Sequence, residues 1–182
     1  MSNDLFRNKY RIPSARADWH KYNVGWYYIT ICTDKREHYF GEIIKQTMHL
    51  SPIGTFTKNR LDELHLIYDD AAILSYVIMP NHIHMIIAVE KTNKRNGSNN
   101  NDDVNEEMQH IARQCGRLSH IISRFKSFIT KHARDNDIPF MWQTRFYDTI
   151  IRNPADFIVI DNYIKNNISN WKDDDYYSPS SL

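Results

Sequence analysis

Two histidines stand one residue apart in MPNHIH, residues 79–84, with apolar runs on either side. In an extended strand alternate side chains share a face, so His82 and His84 point the same way, about 7 Å apart along the backbone. Two imidazoles at that spacing reach a single metal ion. Chance also produces such a pair often in a chain with 9 histidines. A second pair occurs in ADFIVIDNYIKNNISNW, where Tyr163 and Asn167 lie four residues apart. On a helix that spacing projects a phenol and an amide side by side, one turn apart. A packing tyrosine at a core edge gives the same pattern.

The histidine pair needs a sheet to hold it. AAILSYVIM and HIHMIIAVE flank Pro80-Asn81 and read as two antiparallel strands around a tight turn. VGWYYITICT, residues 24–33, is aromatic and β-branched and reads as a third strand. Ser51-Pro52 is a helix start, with serine as cap and proline in the first turn, and that helix is expected to run to about Tyr68. Asn153-Pro154 repeats the signal, and Asp156 suits the positive end of the helix dipole. In that last helix Phe157, Ile160, Ile164, Ile168 and Trp171 form one apolar stripe.

Residues 106 to 134 read as a long amphipathic helix. Ile111, Cys115, Leu118, Ile122, Phe125 and Ile129 recur at spacings of three and four. Arg113, Arg117, His120, Arg124, Lys131 and Arg134 follow the same spacing displaced by two residues, on the opposite face. Lys126 lies off this stripe. From His110 to Arg134 there are six Lys or Arg and no acid. A stripe of one sign suits phosphates, although a solvated outer face has the same appearance. The segment KTNKRNGSNNNDDVN, 91–105, has almost nothing to bury and reads as a flexible insertion.

A chain of 182 residues suits one domain, here 1–182, large enough for a real core. The net charge of +1 confines any attraction to nucleic acid to a local patch. No run approaches the roughly 20 apolar residues of a membrane helix, and the polar N-terminal stretch lacks the apolar region of a secretory signal. Cys32 and Cys115 make no metal-type spacing, so a reduced, cytosolic setting is expected.

Four separated motifs, in order, carry a resemblance. They are KYRIPSARADW with GWYYITICTDKREHYFGEI, then YVIMPNHIHMII, then LSHIISRFKSF, then MWQTRFYDTIIRN with YIKNN. Together they resemble the REP-associated tyrosine transposases of the HUH single-tyrosine group, over nearly the whole chain apart from 91–105 and about the last ten residues. The resemblance implies an α+β, ferredoxin-like or RRM-like domain, with a central antiparallel sheet and helices packed mainly on one face. It implies a metal-dependent single-stranded DNA endonuclease and strand transferase that forms a 5′-phosphotyrosine intermediate at hairpin-associated sites. His82 and His84 match the paired ligands of a divalent metal, Mg2+ or Mn2+. Asn167 falls where the family has a third polar ligand, and Tyr163 falls at the nucleophile. The family's proline after this asparagine is replaced by Ile168. Tyr147 is the rival nucleophile, without an amide at helical spacing.

Under the same resemblance Arg113, Arg117, Arg124, Lys126, Lys131, Arg145 and Arg152 contact DNA phosphates or a REP-like hairpin. Trp142 and Phe146 offer stacking surfaces, although each suits a core equally. Relatives include homodimers and monomers, and a bacterial cytoplasmic, nucleoid-associated protein is expected. Two other readings stay open: a catalytically silent DNA-binding protein of the same fold, and an unrelated metal hydrolase. The hydrolase requires an Asp or Glu near the histidines, and the motif itself has none; Glu90 lies at the strand's far end.

Overall fold

Proline and polar caps start two of the helices, and two-residue turns join the adjacent hairpin strands. The computed structural model describes residues 24–90 and 116–179. Its strands are β1 (Gly25–Cys32), β2 (Gly41–Ile44), β3 (Thr47–Leu50), β4 (Ala71–Ile78), β5 (His82–Val89) and β6 (Tyr147–Ile151). Its α-helices are α1 (Pro52–Asp62), α2 (Leu64–Ile67), α3 (Gly116–Asp135) and α4 (Pro154–Asn166). The expected insertion at 91–105 and the basic residue Arg113 lie outside the described residues. Among the described residues no helix is long and apolar enough to cross a membrane.

Four strands make one antiparallel sheet in the order β4-β5-β1-β6. With α1 between β1 and β4, and α3 between β5 and β6, the chain follows the βαββαβ course of a ferredoxin-like α+β domain. β2 and β3 form a separate hairpin.

Alternation sorts the sheet's residues. Tyr27, Ile29 and Ile31 of β1 join Ile83, Met85 and Ile87 of β5 in one core, against Leu61 of α1 and Leu118, Ile122, Phe125 and Ile129 of α3. On the opposite face Tyr28, Val77, Ile86 and Ile151 pack with Ile164, Phe157, Ile168 and Trp171. That second layer is α4 and the chain that follows it. β5 is therefore covered on both sides, and all eight of its residues are buried. Those on the second face include His82 and His84.

Both cap readings hold. The Ser51 hydroxyl accepts the Gly54 N–H at 3.0 Å, and the Asn153 side-chain oxygen accepts the Asp156 N–H at 2.9 Å. The helix expected to reach Tyr68 breaks at Glu63, where the backbone leaves helical geometry (ψ 1°) and α2 begins on a new axis. The last helix ends at Asn166 rather than Trp171. Ile168 and Trp171 keep their inward faces from a turn and a short 3-10 segment, Trp171–Asp173. That early end lets the chain double back over the histidine face.

The turn before β5 is held from outside the sheet. The Met79 N–H donates to the His82 carbonyl at 2.9 Å, and the Phe40 N–H donates to the Pro80 carbonyl at 3.1 Å. Phe40 is itself in close contact with α1: a Cβ on Gly54 would lie 2.1 Å from the Phe40 carbonyl oxygen. Only glycine allows that approach, so Gly54→Ala must displace either α1 or the Phe40–Pro80 link. The expected cost is about 1–3 kcal/mol, read as a lower urea midpoint with unchanged slope. An unaltered midpoint would show that the helix gives way freely.

Candidate metal centre

His82 and His84 lie side by side on β5, fully buried, with ring centroids 4.5 Å apart. Each ring is oriented by its Nδ1 atom. His82 Nδ1 lies 2.8 Å from the Asn81 side-chain oxygen, which can only accept, so Nδ1 carries the proton and Nε2 presents a lone pair. The Asn81 amide cannot be reversed, because its nitrogen donates to the carbonyls of Arg36 and Tyr176 and meets Ser178 Oγ at 3.1 Å. His84 Nδ1 meets the hydroxyls of Tyr28 at 2.7 Å and Thr30 at 2.9 Å. The two Nε2 atoms are thus turned away from the sheet toward the segment after α4.

That segment delivers Asp174. Its Oδ1 lies 3.9 Å from His82 Nε2 and its Oδ2 lies 3.9 Å from His84 Nε2. Both distances exceed a hydrogen bond, so the carboxylate acts on the rings as a charge. The three ligand atoms of His82, His84 and Asp174 lie within 4.8 Å of one another. Tyr163 and Asn167, one turn apart at the end of α4, both donate to Asp174 Oδ2, at 2.9 and 3.0 Å. The Tyr163 hydroxyl also stands 3.4 Å from His84 Nε2. The Tyr176 N–H donates to Asp174 Oδ1 at 2.7 Å. Rings of Trp171 and Tyr176 lie over His82, with centroids 6.0 and 4.8 Å away.

Burial sets the charge states. It lowers the pKa of both imidazoles, His82 well below the ordinary value, and His82 is lowered further by its neighbour His84. Both rings are neutral at pH 7, as metal ligation requires. Burial pushes the Asp174 carboxyl up, but the pKa falls below the usual carboxylate range, drawn down by any positive charge on the adjacent imidazoles and by the Tyr176 N–H. With the rings neutral, the N–H and O–H donors hold that charge. Burial and then the Asp174 charge raise the Tyr163 phenol above its ordinary pKa.

Two buried polar atoms of this group have no partner: His82 Nε2 and Asn167 Oδ1. An oriented lone pair, a second imidazole, a carboxylate and a spare amide oxygen together fit a divalent cation. This mixed nitrogen and oxygen set suits Mn2+ and also accepts Mg2+.

The other sequence candidates fall elsewhere. Tyr147, on β6, is 45% exposed and its ring lies 6.4 Å from that of Tyr176. Arg117, expected at DNA phosphates, instead makes a two-pronged ion pair with the buried Asp70, at 2.6 and 2.7 Å, so its guanidinium fork holds α3 to the start of β4. Lys126 is half-buried and donates to the carbonyls of Gln143 and Thr144. Arg124, Lys131, Arg145 and Arg152 are exposed. Lys131 and Arg134 both face Asp135, which lies just beyond the acid-free window. Sequence reasoning missed Asp174. It sits in the acidic run DDD, 173–175, with no spacing that ties it to the histidines.

No family model matches the chain. An uncharacterized protein of Haemophilus influenzae is 34% identical over 172 residues, spanning 90% of this chain and 92% of that one. The two proteins belong to one family. Among solved structures, a REP-associated tyrosine transposase bound to a REP hairpin overlays with a TM-score of 0.49 at 16% identity, covering 83% of this chain and 70% of that one. A putative transposase from Deinococcus radiodurans overlays with a TM-score of 0.37 at 11% identity, covering 78% and 88%.

Two outcomes test the centre. Mn2+ is expected to raise the melting temperature of the metal-free protein, and Asp174→Ala or His82→Ala to abolish that rise. An equal shift in the variants would place the ion elsewhere. Acidification is expected to destabilise the metal-free protein. The folded imidazoles titrate below the unfolded value of about 6.5, so under that pH the unfolded chain binds more protons and stability falls by up to about 1.4 kcal/mol per pH unit per histidine. Denaturation between pH 7 and 5 reads this slope, and His84→Gln is expected to flatten it.

Proposed function

We propose that this protein is a metal-dependent single-stranded DNA endonuclease and strand transferase of the HUH tyrosine transposase type. It acts as one domain at hairpin-associated sites and forms a 5′-phosphotyrosine intermediate. The observation that carries the reading is the position of Tyr163. Its hydroxyl is 3.4 Å from His84 Nε2 and bonded to the carboxylate that faces both histidines. A phenol so placed adjoins any phosphate brought to those ligands.

His82, His84 and Asp174 would hold the ion, with Asn167 Oδ1 as a further oxygen. Bound there, it supplies Lewis-acid polarisation of the phosphate's non-bridging oxygens. The chain's own groups do the rest. Tyr163 Oη forms a bond to phosphorus as the bond to the 3′ oxygen breaks; Asp174 Oδ2, 2.9 Å away, orients the phenol and relays its proton to solvent without keeping it, since the carboxylate is the weaker base. The departing oxygen takes up a proton from solvent to become a 3′-hydroxyl, matching the one that Tyr163 released. The phosphodiester energy is kept in the phosphotyrosine bond, so the step reverses to join DNA. Asn81, Tyr28 and Thr30 hold the rings in place. Because both histidines are buried, a phosphate reaches them only if the side chains over them move, among which Trp171 and Tyr176 lie against His82. Exposed Arg124, Lys131, Arg145 and Arg152 supply phosphate contacts. The partner is single-stranded DNA with a REP-like hairpin, met in the cytoplasm by a monomer or a homodimer.

Asp174 also favours a second reading, a metal hydrolase with water as nucleophile, because it supplies the acid that reading requires. One experiment separates the two. Hairpin-bearing single strands are incubated with wild type, Tyr163→Phe and Tyr147→Phe, with Mn2+ or chelator, and run on a denaturing gel. We expect a covalent adduct that requires metal and is lost only in Tyr163→Phe. Cleavage without adduct that survives Tyr163→Phe would establish the hydrolase instead.

A further inference from the structure

Beside the entry to β6 lies a groove of about 620 Å³. Lys126, Lys131 and Arg134 line it from α3, Trp142 and Phe146 line it from the chain leading into β6, and no acid is among its lining residues. We infer that this groove binds one nucleotide of single-stranded DNA, with its phosphate on Lys131 and Arg134 and its base against Trp142 and Phe146. The inference rests on the nuclease reading only in taking that strand to be the one presented to Tyr163.

The platform is built before any ligand arrives. The Trp142 indole N–H donates to the Lys126 carbonyl at 3.2 Å, and the ring packs on Phe40 and Phe140 with centroids 5.5 and 4.8 Å away. The Lys126 ammonium lies 5.7 Å from the indole centroid and donates to the carbonyls of Gln143 and Thr144, at 2.6 and 3.3 Å. Two of its three donors are thereby used, and the half-buried charge gives the groove wall a fixed positive potential. Lys131 is tied to Asp135 by an exposed pair one helical turn along, a contact that contributes little and that a phosphate can replace. Aromatic walls beside cations accept any base, because every base has a stacking face.

Position argues for DNA over other anions. β6 is the last strand of the sheet order. Phe146 and Tyr147 are consecutive at its start; Phe146 lines the groove, while the Tyr147 ring approaches Tyr176 over the histidines. The histidines lie on β5, two strands in from this edge with β1 between, and on the opposite face, so a strand leaving the groove rounds the edge and crosses β6 and β1, about 10 Å, to reach them.

The full chain carrying Tyr163→Phe, which binds without forming an adduct, is titrated with a hairpin-free oligothymidylate containing 5-bromodeoxyuridine. We expect photocrosslinks within residues 142–146. Lys131→Ala with Arg134→Ala should weaken binding about tenfold and reduce the salt slope by about 0.7, the value for one phosphate on a single strand. Phe146→Ala should weaken binding with the salt slope unchanged. Affinity indifferent to these variants, crosslinks elsewhere, or equal competition by polyglutamate would overturn the groove assignment. Loss of crosslinks and affinity in the groove variants, in a protein whose wild type forms no tyrosine adduct, would sustain the groove and remove the nuclease reading alone.

Discussion

A strand buried on both faces cannot carry two imidazoles unless their ring nitrogens are answered. β5 is such a strand, and much of the surrounding structure follows from meeting that condition. The neighbouring strand supplies Tyr28 and Thr30 to one ring, and the turn supplies Asn81 to the other. What the sheet cannot supply is anything for the two Nε2 atoms, which point outward from it. The chain after α4 folds over them and brings a carboxylate to 3.9 Å, close enough for charge and too far for a hydrogen bond. A buried lone pair in that state has the chemistry of a metal ligand.

Asn81 joins these requirements. It is wholly buried, orients His82 through its oxygen, and through its nitrogen holds the carbonyl of Tyr176 beside Asp174. Its own carbonyl accepts from both the N–H and the hydroxyl of Thr33, at 2.9 Å each. The turn that starts β5 therefore also docks the segment carrying Asp174. Ring orientation and carboxylate position are coupled through a single amide. The helix ends at Asn166, and the short segment Trp171–Asp173 leads from it to Asp174.

The basic groups divide between structure and surface. Arg117, on the charge stripe, pairs with Asp70, and Lys126, off it, donates to two carbonyls. Buried acids and backbone carbonyls draw cations inward when the geometry permits two-pronged or multiple contacts. Charges further along α3 remain at the surface, where they give one edge of the sheet a positive rim.

Features that depend on local periodicity were legible in the sequence. The period of two placed His82 and His84 on one face, the period of 3.6 placed Tyr163 beside Asn167, and Ser51-Pro52 and Asn153-Pro154 marked two helix starts that the structure keeps. Such patterns are set by bond geometry within a few residues and need no knowledge of the fold. Asp174, the bond from Asn81 to the tail, and the pairing of Arg117 with Asp70 were not legible. Each joins positions far apart in the chain, and nothing in the local spacing records which distant segment will cover a given face. That choice belongs to packing: α4 crosses the second face of the sheet, its last turn ends above the histidines, and the carboxylate arrives where the two lone pairs already point.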